Sequence, residues 1–206
     1  ANIMKHMFGQ LYSVSASGSI DPNLAESYSV SEDGKEYTFT LQDGLTCHDG
    51  EALTAEDAAY SFNRVADPEM AFTGNSAGFV YKSIDFIEAR ADSELDVTIV
   101  LGGPNHIALG LIAEIYVHCK GSYENMTKEE AATNPVGSGP YEFVKWDKGS
   151  QIVMKKTANP PIPANFENII WRVIPEASTR TAELIAGNVD MITNASPDQV
   201  EAIDAS

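Results

Sequence analysis

No stretch of this chain approaches the ~20 consecutive apolar residues that a membrane-crossing helix requires. Its opening, Ala1 to Tyr12, lacks the basic region, apolar run and small-residue cleavage site of a signal peptide. Basic residues are scarce: 13 lysines and arginines stand against 30 aspartates and glutamates, a formal charge of -17. That imbalance excludes nucleic acid and anionic lipid surfaces as expected partners, because both repel such a chain at long range. Cysteine is rarer still. Cys47 and Cys119 stand far apart with no CxxC spacing, so neither a zinc ribbon nor a dithiol redox site is expected. Two states stay open for them: one disulfide in an oxidising compartment, or two buried free thiols, with the thiols at least as favoured. The four histidines, His6, His48, His106 and His118, form no i, i+4 pair with an intervening acid, the mark of a zinc-protease helix.

What is present is a globular composition. The 206 residues are 43% hydrophobic and 9% aromatic, which argues against wholesale disorder. Tyr37 to Leu41 alternates β-forming residues as a half-buried strand does, and Glu32-Asp33-Gly34-Lys35 supplies the turn before it, so a hairpin is expected. Asp43-Gly44 and Asp49-Gly50 mark two further tight turns. Thr54-Ala55-Glu56-Asp57 opens a helix, with Thr54 expected to accept from the amide three residues on and the acids favoured by the helix dipole. Ala58, Phe62 and Val65 recur at helical spacing until Asp67-Pro68 ends the run. A loop follows to Lys82, carrying Phe72, Phe79 and Tyr81.

Strands are expected at Ser83 to Ala89 and Asp96 to Leu101, and a short helix at Pro104 to Ala113. Tyr141 to Trp146 and Gln151 to Lys155 read as a hairpin about Asp147-Lys148-Gly149-Ser150. Asn159-Pro160-Pro161-Ile162-Pro163 cannot continue a central strand and reads as a connection. Then come a strand at Ile169 to Ile174, a helix capped by Ser178 and stopped at Gly187, a strand at Val189 to Thr193, and a helical turn from Pro197. This strand-helix-strand order predicts a parallel pair with a right-handed crossover.

Catalytic patterns are weak. Cys47-His48-Asp49 holds metal-ligand residue types, but three adjacent side chains do not normally converge on one ion, and a turn closing onto a strand explains them better. Gly137-Ser138-Gly139-Pro140 lacks the Gly-Lys-Ser/Thr ending of a phosphate loop. It also lacks the full Gly-x-Ser-x-Gly elbow of a serine hydrolase. Glu56-Asp57 and Glu129-Glu130 fit first-turn charges or solvated helix faces rather than acid/base dyads.

The run from Leu24 to Val65, LAESYSVSEDGKEYTFTLQDGLTCHDGEALTAEDAAYSFNRV, resembles the signature region of the bacterial family 5 solute-binding proteins, which serve dipeptide, oligopeptide and nickel importers. The likeness continues through Asn134 to Lys156 and Val173 to Met191. It departs at Gln42, where the family usually carries a basic residue, at Cys47, usually aromatic, and at Pro161-Ile162-Pro163, where a tyrosine and tryptophan usually stand.

The resemblance implies a mixed α/β (α+β) fold: a periplasmic-binding-protein-like class II lobe with an inserted β-rich subdomain. It assigns residues 1–13 and 169–206 to an incomplete cleft-forming subdomain and 14–168 to a second subdomain of the same lobe. The other lobe is expected to be absent from this sequence. The implied function is that of the substrate-binding component of an ABC importer, capturing peptides outside the cell membrane and handing them to the permease subunits. The alternative is a nickel or metal-chelate receptor on the same fold; a small hydrolase and a purely structural module are the further competitors.

No catalytic activity, cofactor or metal is implied. The protein is expected to be an extracytoplasmic monomer, periplasmic or lipid-anchored. By the same resemblance, Thr193, Asn194 and Ala195 are the first candidate ligand contacts. The amide of Asn194 suits a peptide bond because it can both donate and accept, although Asn194 could instead cap the following turn. Phe79 and Tyr81 are the second candidates, with the subdomain core as their competing role.

Overall fold

The computed structural model describes residues 2–70, 79–124 and 126–205. The chain forms two compact units, one of residues 1–144 and 154–169, the other of 145–153 and 170–206.

The first unit opens with helix α1 (Asn2–Met7) and the small antiparallel hairpin β1 (Tyr12–Val14) and β2 (Ile20–Pro22). The expected hairpin follows as β3 (Ala25–Val30) and β4 (Glu36–Leu41), then helix α2 (Ala55–Ala66), the single turn α3 (Tyr81–Ser83), β5 (Phe86–Ala91) and β6 (Asp96–Leu101). The four longer strands make one antiparallel sheet in the order β3-β4-β6-β5. Alternation decides its faces. Tyr37, Phe39 and Leu41 are buried beside Val97, Ile99, Leu101 and Ala89, whereas Thr38, Thr40, Glu36 and Arg90 lie on the polar face.

Helix α2 packs against β5 and β6 through Ala55, Ala58, Ala59 and Phe62. Asn63 pins it further, its amide donating to the Ala89 carbonyl (2.7 Å) and accepting from the Ala89 N–H (2.9 Å). At its start Thr54 and Asp57 form a reciprocal capping box, with the Thr54 side chain facing the amide three residues on as expected. The Asp57 carboxylate accepts the Thr54 N–H at 2.7 Å and the Thr54 hydroxyl at 3.0 Å. The Lys120 N–H adds a third bond at 2.7 Å, so this buried carboxylate is satisfied on all sides.

Short helices α4 (Ala108–Ile112), α5 (Lys120–Glu124) and α6 (Lys128–Thr133) complete the run to strand β7 (Tyr141–Asp147). Helix α4 begins four residues later than the sequence pattern suggests. The Asn105 side chain captures the Ile107 N–H at 3.0 Å, and this local bond competes with helical pairing. Strand β5 likewise starts late, because Ser83 ends α3 and Asp85 turns the chain at a φ of 49°. Strands β7, β8 (Gln151–Lys156) and β9 (Asn168–Arg172) form a three-stranded sheet in that order, and the division between the units falls within these strands.

The second unit also contains helices α7 (Ala177–Ile185) and α8 (Val200–Asp204). Helix α7 is capped at Glu176, so Ser178 lies inside it rather than at its cap; Gly187 does adopt the left-handed stop, with a φ of 71°. Residues 189–193 form no strand, which overturns the expected strand-helix-strand pairing. A strand exists only where its backbone groups meet a neighbouring strand, and none of the described strands pairs with this segment.

Cys47 and Cys119 are joined in a disulfide, which corrects the favoured reading of two buried thiols. The bond lies beside a tight backbone crossing. Residues 137–139 pass so close to 6–8 that a Cβ on Gly137 would collide with the Met7 carbonyl, and one on Gly139 with the backbone from His6 to Phe8. Three groups stitch this crossing together. The Gly139 N–H donates to the Met7 carbonyl (2.9 Å). The Ser138 hydroxyl donates to the Val117 carbonyl (2.9 Å) and accepts the Gly9 N–H (3.0 Å). The His48 ring accepts the Gly137 N–H at Nδ1 (3.1 Å) and donates from Nε2 to the Gly139 carbonyl (2.9 Å), which requires neutral imidazole.

The disulfide spans 72 residues of sequence, a loop length whose closure contributes about 4 kcal/mol in the chain-entropy account. The double variant C47A/C119A is expected to be less stable by about 2–4 kcal/mol, read as a lower urea midpoint against the oxidised protein. Stability is also expected to fall in mild acid. Burial drives the pKa values of His6 and His48 below the ordinary imidazole value. Burial, reinforced by the Arg64 charge, pulls His118 down to about 4. Between about 6.5 and about 4 the unfolded chain therefore binds more protons than the folded one. The histidine contribution is complete above that window, declines as pH drops through it and is lost beneath it, and His118→Gln should flatten the decline across that window in a series of melting curves against pH.

Candidate ligand-binding site

Each candidate region is positioned by its own unit. In the second unit, helix α7 ends at Gly187 and the chain runs irregularly to a single turn of 3-10 helix at Pro197–Gln199. Thr193 is half-buried on this segment, while Asn194 and Ala195 are exposed. Asn194 sits in the left-handed region with a φ of 56°. Asparagine tolerates that conformation far better than branched or bulky residues do. The residue capping the 3-10 turn is Ser196, not Asn194, and Ser196 turns its hydroxyl to the Asp198 carboxylate. The Asn194 side-chain amide bonds to no other described residue and so presents both a donor and an acceptor to solvent.

Two side chains of α7 hold the flanks of this turn. The Arg180 guanidinium donates from Nη2 to the Asn194 carbonyl at 3.1 Å, and from Nη1 to the carbonyls of Ile174 (2.9 Å) and Pro175 (2.7 Å). The Thr181 hydroxyl, on the one buried residue of this unit among those described, donates to the Gln199 side chain at 2.7 Å. Arg180 escapes sequence reasoning. Its partners lie between 5 and 14 residues away on both sides, and no local pattern marks such a fork.

In the first unit the aromatic candidates part company. Phe79 is 64% exposed and free to meet a ligand. Tyr81 is only 7% exposed, its hydroxyl donates to the Phe62 carbonyl at 2.8 Å, and its ring lies edge-on to Phe86 with centroids 4.7 Å apart. Burial drives its phenol pKa well above the ordinary value. Tyr81 is therefore packed as a core residue that anchors the end of the loop, the competing role that the sequence leaves open for it. Phe72 lies outside the described residues.

The residues with catalytic or metal-binding side chains are engaged elsewhere. Cys47 is consumed by its disulfide, both His48 nitrogens serve the 137–139 crossing, and Asp49 accepts from Ser122 and the Glu51 N–H. Ser138 is 2% exposed with its hydroxyl used in both directions. Among the described residues, no group of three or more histidines, cysteines or acids is placed to hold a metal ion. What the exposed turn can do is recognise polar backbone groups of a small solute.

Residues 19–206 match the family described as bacterial extracellular solute-binding proteins, family 5 Middle. A probable D,D-dipeptide-binding periplasmic protein of Escherichia coli is 30% identical over 201 residues, which cover 89% of this chain and 36% of that protein. Heme-binding protein A of Haemophilus influenzae is 29% identical over 196 residues, covering 84% of this chain and 35% of that protein. The chain thus spans little more than a third of the curated relatives it matches. Among solved structures, the binding protein AgaA of A. tumefacien R10 in complex with agropinic acid superposes with a TM-score of 0.86 at 26% identity, covering 99% of this chain and 41% of that one. The mixed α/β fold is that of the periplasmic binding proteins, and the chain belongs to the bacterial extracellular solute-binding proteins, family 5.

Proposed function

We propose that the protein carrying this chain is a receptor that captures peptides outside the cytoplasmic membrane and delivers them to the membrane subunits of an ABC importer, without covalent chemistry. The observation that carries the reading is Asn194: an exposed amide, unpartnered among the described residues and held in a left-handed turn. Such a group meets both the N–H and the C=O of a peptide bond. The kinship to a dipeptide-binding protein supports the same ligand class.

In this reading residues 1–13 and 169–206 form part of the cleft-bearing subdomain and 14–168 a second subdomain of the same lobe. Thr193 and Ala195 flank the contact made by Asn194, and Phe79 offers apolar area with little rotamer freedom to lose. The receptor works as a monomer, periplasmic or lipid-anchored at the outer face of the membrane. The Cys47–Cys119 disulfide is in keeping with such an oxidising compartment.

A thermal-shift series on the complete polypeptide carrying this sequence tests the reading, using di- to hexapeptides, nickel–histidine chelates and hemin as separate probes. Peptides at about 100 times Kd are expected to stabilise by about 2.7 kcal/mol. A rise with the chelate or with hemin alone would replace peptide by that ligand class. Asn194→Ala is expected to weaken peptide binding by about 1–2 kcal/mol and, because alanine tolerates the left-handed φ of 56° less well than asparagine, also to lower the unliganded melting temperature slightly. Unchanged affinity in that variant would remove Asn194 from the site.

A further inference from the structure

We propose that Arg180 is a positioning residue for the ligand turn, acting by aiming the peptide group between Asn194 and Ala195; the inference rests on the receptor reading above. Of the three other arginines, Arg64 lies over the Tyr123 ring, 5.6 Å from its centroid, and two meet carboxylates. Arg172, eight residues earlier, pairs with Glu183 at 3.0 Å, and Arg90 pairs with Glu36 and Asp92. Arg180 instead places its terminal nitrogens on three backbone carbonyls, those of Ile174, Pro175 and Asn194, and among the described residues it pairs with no acid. Its Nε is buried with no hydrogen-bond partner among them either. The fork is committed to geometry rather than to charge neutralisation.

The consequence follows from the planarity of the peptide group. In a trans peptide the C=O and the following N–H point in opposite directions. Drawing the Asn194 oxygen toward Arg180 therefore turns the Ala195 N–H away from it. That N–H donates to no described residue, and it sits next to the exposed Asn194 amide. The turn thus offers a backbone donor and a side-chain amide side by side, suited to a carbonyl or carboxylate oxygen together with a neighbouring amide of the solute. Bonding to the β9–α7 connection at Ile174 and Pro175 lets one side chain tie this turn to the start of the helix. Lysine cannot reproduce the arrangement, because a single ammonium has no planar fork.

The test uses the complete polypeptide carrying this sequence, with the variants R180Q, R180K, N194A and R180Q/N194A, and R172Q as a control that breaks an ion pair to the same helix. Two readouts are taken. One is the 15N heteronuclear NOE of the Ala195 amide in the unliganded protein, which needs no ligand. The other is calorimetric Kd for whichever member of the di- to hexapeptide series stabilises most. Loss of a preorganised donor is expected to weaken binding about 10-fold in R180Q. The Ala195 NOE should fall in R180Q and R180K but not in R172Q, and the R180Q and N194A effects should be less than additive. An unchanged Ala195 NOE in R180Q, or strictly additive losses in the double variant, would overturn the positioning role. If no peptide binds the wild type, the receptor reading for peptides fails, and the NOE arm still decides whether Arg180 orders the turn.

Discussion

The first unit is organised around a backbone crossing that has no room for side chains. Where residues 137–139 run against 6–8, two glycines let main chain meet main chain, and Ser138 and His48 convert that proximity into hydrogen bonds. The disulfide lies at the same place, with Cys47 next to His48 and Cys119 two residues beyond Val117, whose carbonyl Ser138 meets. A serine, a histidine and a cysteine pair that elsewhere would suggest chemistry are thereby spent on architecture. Their polar atoms are satisfied inside the fold, and a buried polar group already paired has nothing left to offer a substrate.

The amphipathic sheet forms the core of the same unit. Its inner face and α2 bury Phe39, Phe62, Val97 and Ile99 essentially completely, while threonines and charges occupy the other face. Polar groups that reach the interior arrive with partners: Asp57 accepts three bonds, and Asn63 pairs both its amide groups with Ala89.

The second unit is built differently. Thr181 is its one buried residue among those described, and Ile170, Val173, Ile185 and Met191 are all at least 45% exposed. Its turns are held by side chains reaching to backbone, Arg180 above all, rather than by a filled interior. The turn at 193–195 belongs to this less densely packed part.

Much of the local structure was determined by the sequence itself. The alternation of Tyr37 to Leu41, the turns at Asp43-Gly44 and Asp49-Gly50, the helical spacing of Ala58, Phe62 and Val65, and the stop at Gly187 all appear as read, because each depends on periodicity or on φ preferences within a few residues. The ordered likeness from Leu24 onward likewise sufficed to identify the family. Only tertiary structure decided the rest. Whether Cys47 and Cys119 bond depends on two segments 72 residues apart meeting, and whether Tyr81 faces solvent or core depends on where Phe62 and Phe86 lie. Whether residues 189–193 become a strand depends on a neighbouring backbone, which no local pattern can supply. Arg180 is the clearest instance: its role lies in carbonyls before and after it in sequence that come together only once the chain has folded.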